Sequence, residues 1–133
     1  LRCLVGSEMC IRDSASAIGA HKIIFLTDVD GYYENFEDKD SLVSQMTLDE
    51  VRHLLLTGQV SAGMIPKLQS CVSALEGGVP RAHIVNGTKP HSILVELLTS
   101  AGVGTLIYDD KAKVSKEDMR PLGILASRLS ENL

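Results

Sequence analysis

The sequence lacks any apolar run close to the length of about 20 residues that a transmembrane helix needs. Its first residues also lack the long apolar segment of a signal peptide. Charged residues are scattered and form no basic stripe, and the net charge of the 133 residues is −4. We therefore expect a single domain that has neither a membrane nor a nucleic acid as its partner.

Cysteine is scarce, since Cys3, Cys10 and Cys71 are the only three. An odd number without repeated spacing argues against a disulfide framework, and the absence of a CxxC pair argues against a thiolate zinc site. The four histidines show no HExxH pattern or other tight metal spacing. Cys71 lies on an apolar helical stripe, so we interpret it as a core residue. These features favour a reducing, cytoplasmic location and no metal held by the protein's own side chains.

Short apolar runs alternate with helical periodicities, which predicts an α/β domain. In chain order the pattern predicts a buried strand at 22–27, a short strand at 42–46, a helix opened by a capping box of Thr47 and Glu50 and ending at Gly58, a helix from about Gly63 to Gly77, a strand at 81–86, a helix from Pro90 to about 99, and a strand at 105–108. After residue 110, Leu122, Leu125 and Leu129 suit a short amphipathic helix.

The segment IIFLTDVDG places polar residues directly after the first strand. Ligands of α/β sheets usually bind at the carboxyl ends of strands, so Thr27, Asp28 and Asp30 are candidates to meet a nucleotide or a metal. The alternative is that the two aspartates only shape the turn with their side chains.

In the segment GQVSAGMIPK, from Gly58 to Lys67, small residues precede the start of a helix. Exposed N–H groups at a helix N-terminus attract phosphate, and Lys67 in the first turns would stabilise charge on a transferring phosphoryl group. The GxxxxGK[ST] pattern is absent, so this is not a Walker A loop. The alternative is a solvated lysine on a helix.

Taken together, four segments resemble the acetylglutamate kinases, members of the amino acid kinase family. They are GAHKIIFLTDVDGYY, SAGMIPK, ALEGGVPRAHIVNG and VELLTSAGVGT, all within 17–108. The resemblance implies a three-layer αβα sandwich of the amino acid kinase type, of which this chain is the C-terminal lobe. Residues 15–110 would form the nucleotide-binding lobe, and 111–133 a C-terminal tail.

The resemblance implies that the family transfers phosphoryl from ATP to the side-chain carboxylate of N-acetyl-L-glutamate, a step of arginine biosynthesis. Lys67 would be catalytic, and Mg²⁺ would be held mainly by the nucleotide. The intact protein is expected to be a cytoplasmic homo-oligomer. The positions matching the ATP site are Thr27, Asp28, Val29, Asp30, Gly31, Tyr32, Tyr33, Gln59, Val60 and Ser61.

Some members of the family are inhibited by L-arginine, which lies near a histidine, a glutamate and a glycine loop. The matching positions here are His83, Glu96 and Gly102. The arginine site of the family also needs an N-terminal helix, which this sequence does not contain.

Other parts of the family pattern are missing. No K-x-G-G loop, second catalytic lysine or N-A-D segment occurs. Residues 1–14, LRCLVGSEMCIRDS, resemble a translated sequencing adaptor and are expected to be non-native, and a first residue of Leu1 rather than methionine favours a fragment. Since phosphoryl transfer needs both substrates held in line, we expect negligible kinase activity from this chain alone.

Three alternatives stay open from the sequence. The chain has segments similar to those of glutamate 5-kinases and uridylate kinases. IIFLTDVDG also fits the D-x-D-G motif of haloacid dehalogenase-type phosphatases, where Asp28 would be the nucleophile, Asp30 the general acid and Mg²⁺ the cofactor. The third alternative is that the chain is a non-catalytic module that binds nucleotide or arginine.

Overall fold

The computed structural model describes residues 7–98 and 102–111, so the predicted tail helix lies outside the described residues. The elements in chain order are α1 (Ser7–Ala17), β1 (Ile23–Thr27), a 3₁₀ turn (Lys39–Ser41), β2 (Gln45–Thr47), α2 (Leu48–Thr57), α3 (Ile65–Glu76), β3 (Arg81–Asn86), α4 (Ser92–Leu98) and β4 (Thr105–Tyr108). None of the described helices is long and apolar enough to cross a membrane.

The four strands form one mixed sheet in the order β1-β3-β4-β2. β1 runs parallel to β3, β2 runs parallel to β4, and β3 and β4 are antiparallel. Side chains of β3 alternate between the two faces of the sheet. Ala82 and Ile84 pack into the core with residues of α2 and α3, while His83 on the opposite face contacts α4. Helices therefore cover both faces, which confirms the predicted three-layer α/β class.

The capping box predicted for α2 is present. The Thr47 hydroxyl accepts a hydrogen bond from the Glu50 backbone N–H at 3.2 Å, and the Glu50 carboxylate accepts one from the Thr47 N–H at 2.7 Å. Gly58 ends the helix in the left-handed conformation, with a φ of 68°. These local signals set where α2 begins and ends, and the chain then enters α3 at Ile65.

Three sequence expectations on the elements need correction. β1 is not a buried strand: it is the edge of the described sheet, and Leu26 is 53% exposed. α4 begins at Ser92 rather than Pro90, because His91 takes a φ of 60° and interrupts helical geometry. β2 begins at Gln45 rather than 42, since Val43 is taken up by a hairpin in which its N–H donates to the Tyr32 carbonyl at 2.9 Å.

Candidate functional site

The segment that follows β1 forms a tight turn and then a hairpin. The Thr27 hydroxyl donates to the Val29 carbonyl at 2.9 Å and accepts from the Val29 N–H at 3.2 Å, which closes the turn. Tyr32 and Tyr33 are buried, whereas the Asp28 side chain is 81% exposed. The turn therefore presents the Asp28 carboxylate to solvent at the carboxyl end of a strand, where ligands of α/β folds usually bind.

Asp28 and Lys67 meet across this edge of the sheet. The Lys67 Nζ lies 2.7 Å from the Asp28 Oδ1, although the two residues are 39 positions apart. Pro66 occupies the first turn of α3, and Lys67 follows it with a side chain that is 25% exposed. The hydrogen bond from Lys67 lowers the pKa of Asp28. The two segments singled out in the sequence thus converge on one charged pair beside the N-terminus of a helix.

Asp30 has a different role from Asp28, because its carboxylate is taken up by three neighbours. It accepts from the Tyr33 hydroxyl at 3.0 Å and from the Asn86 amide at 2.9 Å, and Lys89 Nζ lies 2.6 Å away. The hydrogen bond from Lys89, followed by that from Asn86, lowers its pKa. Asp30 ties the turn after β1 to the end of β3. For Asn86 and Lys89, the sequence pattern predicted a turn and no part in a site.

A cleft of about 750 Å³ lies between the hairpin, β2 and α2. Tyr32 and Gln59, two of the predicted ATP-site residues, are among the residues that line it. Val60 packs against the core, and the Ser61 carbonyl accepts from the Met64 N–H at 2.9 Å in the turn that leads into α3. The cleft does not include the Asp28–Lys67 pair, so the predicted site divides into a concave part and an open, charged part.

The three residues predicted for an arginine effector also lie together, on the α4 face of the sheet. The His83 Nδ1 lies 2.6 Å from the Glu96 Oε1, and these side chains are only 7% and 6% exposed. The other carboxylate oxygen of Glu96 accepts from the Val103 N–H at 2.7 Å. Gly102 adopts a φ of 59° beside this carboxylate. The His83 Nε2 is buried with no hydrogen-bond partner in the described structure.

Acid should weaken the fold through Glu96. The hydrogen bond from His83 and those from the backbone of Val103 and Gly104 lower the pKa of Glu96, against the effect of burial. As the pH falls, Glu96 in the unfolded chain, with an ordinary glutamate pKa of about 4.3, binds its proton before Glu96 in the folded chain does. The stabilisation is complete above that value and is lost as the pH falls toward the folded-state pKa.

A series of urea unfolding curves from pH 6 to pH 3 measures this effect. We expect Glu96→Gln to be less stable than wild type at pH 6 and to lose less free energy of unfolding as the pH falls. Glu37→Gln, in an exposed loop, should retain the wild-type slope. Equal slopes for wild type and Glu96→Gln would contradict the assignment.

Two further observations concern the metal-ligating and nucleophilic side chains. Within residues 7–98 and 102–111, no group of three or more His, Cys, Asp or Glu side chains is arranged to hold a metal ion. Cys71 is fully buried in the core, and burial raises the pKa of its thiol to about 12. Such a thiol is almost never a thiolate near neutral pH, so Cys71 is unsuited to act as a nucleophile.

Comparison with known proteins identifies acetylglutamate kinases that are similar in sequence to this chain. The chain is 48% identical over 107 residues to an acetylglutamate kinase of Bifidobacterium longum, covering 80% of this chain and 34% of that protein. It is 50% identical over 110 residues to an acetylglutamate kinase of Caldanaerobacter subterraneus, covering 80% and 37%. The chain thus spans about a third of the length of these curated relatives.

A solved structure is similar in fold. The N-acetylglutamate synthase of Neisseria gonorrhoeae, complexed with coenzyme A and L-arginine, matches with a TM-score of 0.66 and 31% identity over 77% of this chain and 23% of that one.

The model of the amino acid kinase family matches residues 2–86. Because that match covers more than half of the sequence and its core spans the strand, turn and helix that build the Asp28–Lys67 pair, the chain belongs to the amino acid kinase family.

Proposed function

We propose that this chain is the nucleotide-binding part of an acetylglutamate kinase, which transfers a phosphoryl group from ATP to the side-chain carboxylate of N-acetyl-L-glutamate. The observation that carries the phosphoryl-transfer proposal is the 2.7 Å contact between Lys67 and Asp28 at the start of α3. The choice of acceptor rests on the two relatives that are about 50% identical and bear that name. Neither of these two relatives favours a haloacid dehalogenase, a glutamate 5-kinase or a uridylate kinase.

The described residues fit a nucleotide in two respects. The cleft lined by Tyr32 and Gln59 has a volume suited to a small organic ligand. Lys67 is held at a helix N-terminus by a carboxylate that is itself mostly exposed, so an incoming phosphate can replace that carboxylate as partner of the ammonium. We assign the base and ribose to the cleft and to the segment from Thr27 to Tyr33, and the phosphates to the surroundings of Lys67.

In this proposal Lys67 is the catalytic residue of the chain. Its ammonium balances the negative charge that spreads over the phosphoryl oxygens as the transferring group leaves ADP, and it acts as a point charge fixed in place beforehand. Asp28 keeps the ammonium extended over the site before the nucleotide binds. Mg²⁺ carried by the nucleotide would supply further neutralisation of the phosphate charge.

The rest of the intact protein supplies what this chain does not contain. We place the acetylglutamate site and the groups for in-line positioning outside this chain, which spans about a third of the length of its acetylglutamate kinase relatives; phosphoryl transfer needs both substrates held. We propose a cytoplasmic homo-oligomer for the intact protein. Residues 1–14 remain predicted to be foreign, although the family match begins at residue 2.

L-arginine is a second proposed ligand, at the group of His83, Glu96 and Gly102. The favouring observation is the buried carboxylate of Glu96, because a carboxylate is the natural partner of a guanidinium. In this chain both carboxylate oxygens already accept hydrogen bonds, from His83 and from Val103. Arginine would therefore have to displace a bond that the fold has already made, so we expect weak binding to this chain by itself.

Calorimetric titration of Mg-ADP into the chain tests the main proposal. We expect saturable binding that Lys67→Ala weakens about tenfold or more, because a charge-assisted contact to phosphate is lost. Asp28→Ala should weaken it by a smaller factor, since Asp28 acts through the lysine. Arg52→Ala removes a half-exposed cation that pairs with Asp49 and Glu76 and does not itself line the cleft, and it should bind like wild type. Absence of binding by a folded wild-type chain would exclude a nucleotide site formed by this part alone.

A further inference from the structure

A fully buried threonine lies beneath the predicted nucleotide segment. Thr105 is the first residue of β4, and its side chain has no exposure to solvent. Its hydroxyl oxygen accepts from the Tyr32 backbone N–H at 2.8 Å, and its hydroxyl hydrogen is donated to the Val43 carbonyl at 2.7 Å. One hydroxyl group therefore joins β4 to both arms of the hairpin that bounds the cleft.

The backbone of the hairpin is pressed against this hydroxyl. A Cβ atom added to Gly31 would lie 2.4 Å from the Thr105 Oγ1 and 3.0 Å from its backbone nitrogen. Glycine at 31 is what allows the chain to approach closely enough for the Tyr32 N–H to reach the oxygen. The approach is specific, because a side chain other than hydrogen at 31 would push the hairpin off its support.

The support itself is rigid. A Cβ atom at the preceding residue, Gly104, would lie 2.0 Å from the Ile84 carbonyl oxygen, so β4 begins in direct contact with the backbone of β3. β3 lies in the interior of the described sheet, between β1 and β4. The position of the Thr105 hydroxyl is consequently set by the sheet and not by the hairpin that it holds.

We infer that Thr105 is a positioning residue for the nucleotide site, holding residues 31–33 and 43 in their binding arrangement before the nucleotide arrives. This inference rests on the proposed function, because it assigns a role relative to that site. Thr105 lies under the hairpin and does not line the cleft. A hairpin held in advance loses little freedom on binding, so removal of the hydroxyl appears as weaker affinity. Valine has nearly the same shape but would leave a buried donor and a buried acceptor without partners.

Mg-ADP affinity of three variants of the full chain tests this role. We expect Thr105→Val to bind at least about tenfold more weakly than wild type. Thr105→Ser restores the donor and acceptor and should recover most of the affinity. Ile107→Val removes one methylene from the core on the same strand, at a side chain that does not line the cleft and makes no hydrogen bond to the hairpin. It should retain wild-type affinity even if it lowers the melting temperature as much as Thr105→Val does.

The outcomes separate the two proposals. If wild type binds Mg-ADP and Thr105→Val binds equally well, the positioning role is wrong while the nucleotide site stands. If wild type does not bind, the nucleotide proposal itself fails. Should Thr105→Val not fold, hydrogen exchange of the wild-type Tyr32 amide decides. Without nucleotide, that amide should be protected as well as the Ile84 amide of β3, and fast exchange at Tyr32 would overturn the inference.

Discussion

Replacement of Lys67 by alanine is expected to lower the turnover number of an assembled kinase by about 10²- to 10³-fold. The assembled enzyme is a chimera in which residues 15–110 replace the segment aligned with them in the Bifidobacterium longum acetylglutamate kinase, a substitution supported by 48% identity over the 107 matched residues. A lysine that balances charge developing on the phosphoryl group acts mainly in the transition state, so its loss lowers kcat more than it raises KM for ATP.

The measurement is the rate of ADP release with N-acetyl-L-glutamate as acceptor. The chimera carrying Arg52→Ala should turn over like the parent chimera, because Arg52 does not line the cleft and is paired at 2.7 Å with Glu76 at the end of α3. The isolated chain should show no rate above background. A Lys67→Ala chimera with an unchanged kcat would remove Lys67 from the reaction, and a chimera that binds Mg-ADP but accepts only another substrate would change the proposed acceptor.

The sequence predicted best those features whose signals are local. The start and end of α2 follow from Thr47, Glu50 and Gly58, which act within one turn of the helix. The segments RAHIVN and TLIY form strands as their apolar patterns indicate. The same kind of signal, a polar residue at the end of an element, led to the predictions that Lys67 acts on a phosphoryl group and that the turn at Asp28 meets a nucleotide or a metal. The structure brings the two residues together, and their roles stay predictions.

The features that the sequence did not reveal depend on contacts between distant residues. The exposure of Leu26 follows from the position of β1 at the edge of the sheet, which an apolar run cannot show, since the same run suits a central strand. The partners of Asp30 include Asn86, 56 positions away, and the support from Thr105 reaches Tyr32 across 73 positions. The segment GVGT was informative only as part of a family resemblance, until the structure placed it beneath the hairpin.

Replacement of Gly104 by alanine should lower the free energy of unfolding of the chain by at least about 3 kcal/mol. The added Cβ atom would lie 2.0 Å from the Ile84 carbonyl oxygen, and 3.1 Å from both the Ile84 carbonyl carbon and the Val85 Cγ2. The nearest obstacles are backbone atoms of β3, which is hydrogen-bonded on both sides and has no room to yield. Since a domain of this size has a total stability of about 5–15 kcal/mol, this loss would remove between about a fifth and three fifths of it.

Urea unfolding followed by far-ultraviolet circular dichroism measures this loss, with Gly63→Ala as the matched control. No heavy atom outside its immediate chain neighbours lies within 4 Å of a Cβ atom at Gly63, so the same substitution there should leave the stability unchanged or raise it slightly. If Gly104→Ala unfolded at the same urea concentration as Gly63→Ala, β4 would not lie against β3 as described. The support that places Thr105 under the hairpin would then be absent, and a nucleotide site formed with Tyr32 would need another means of holding its shape.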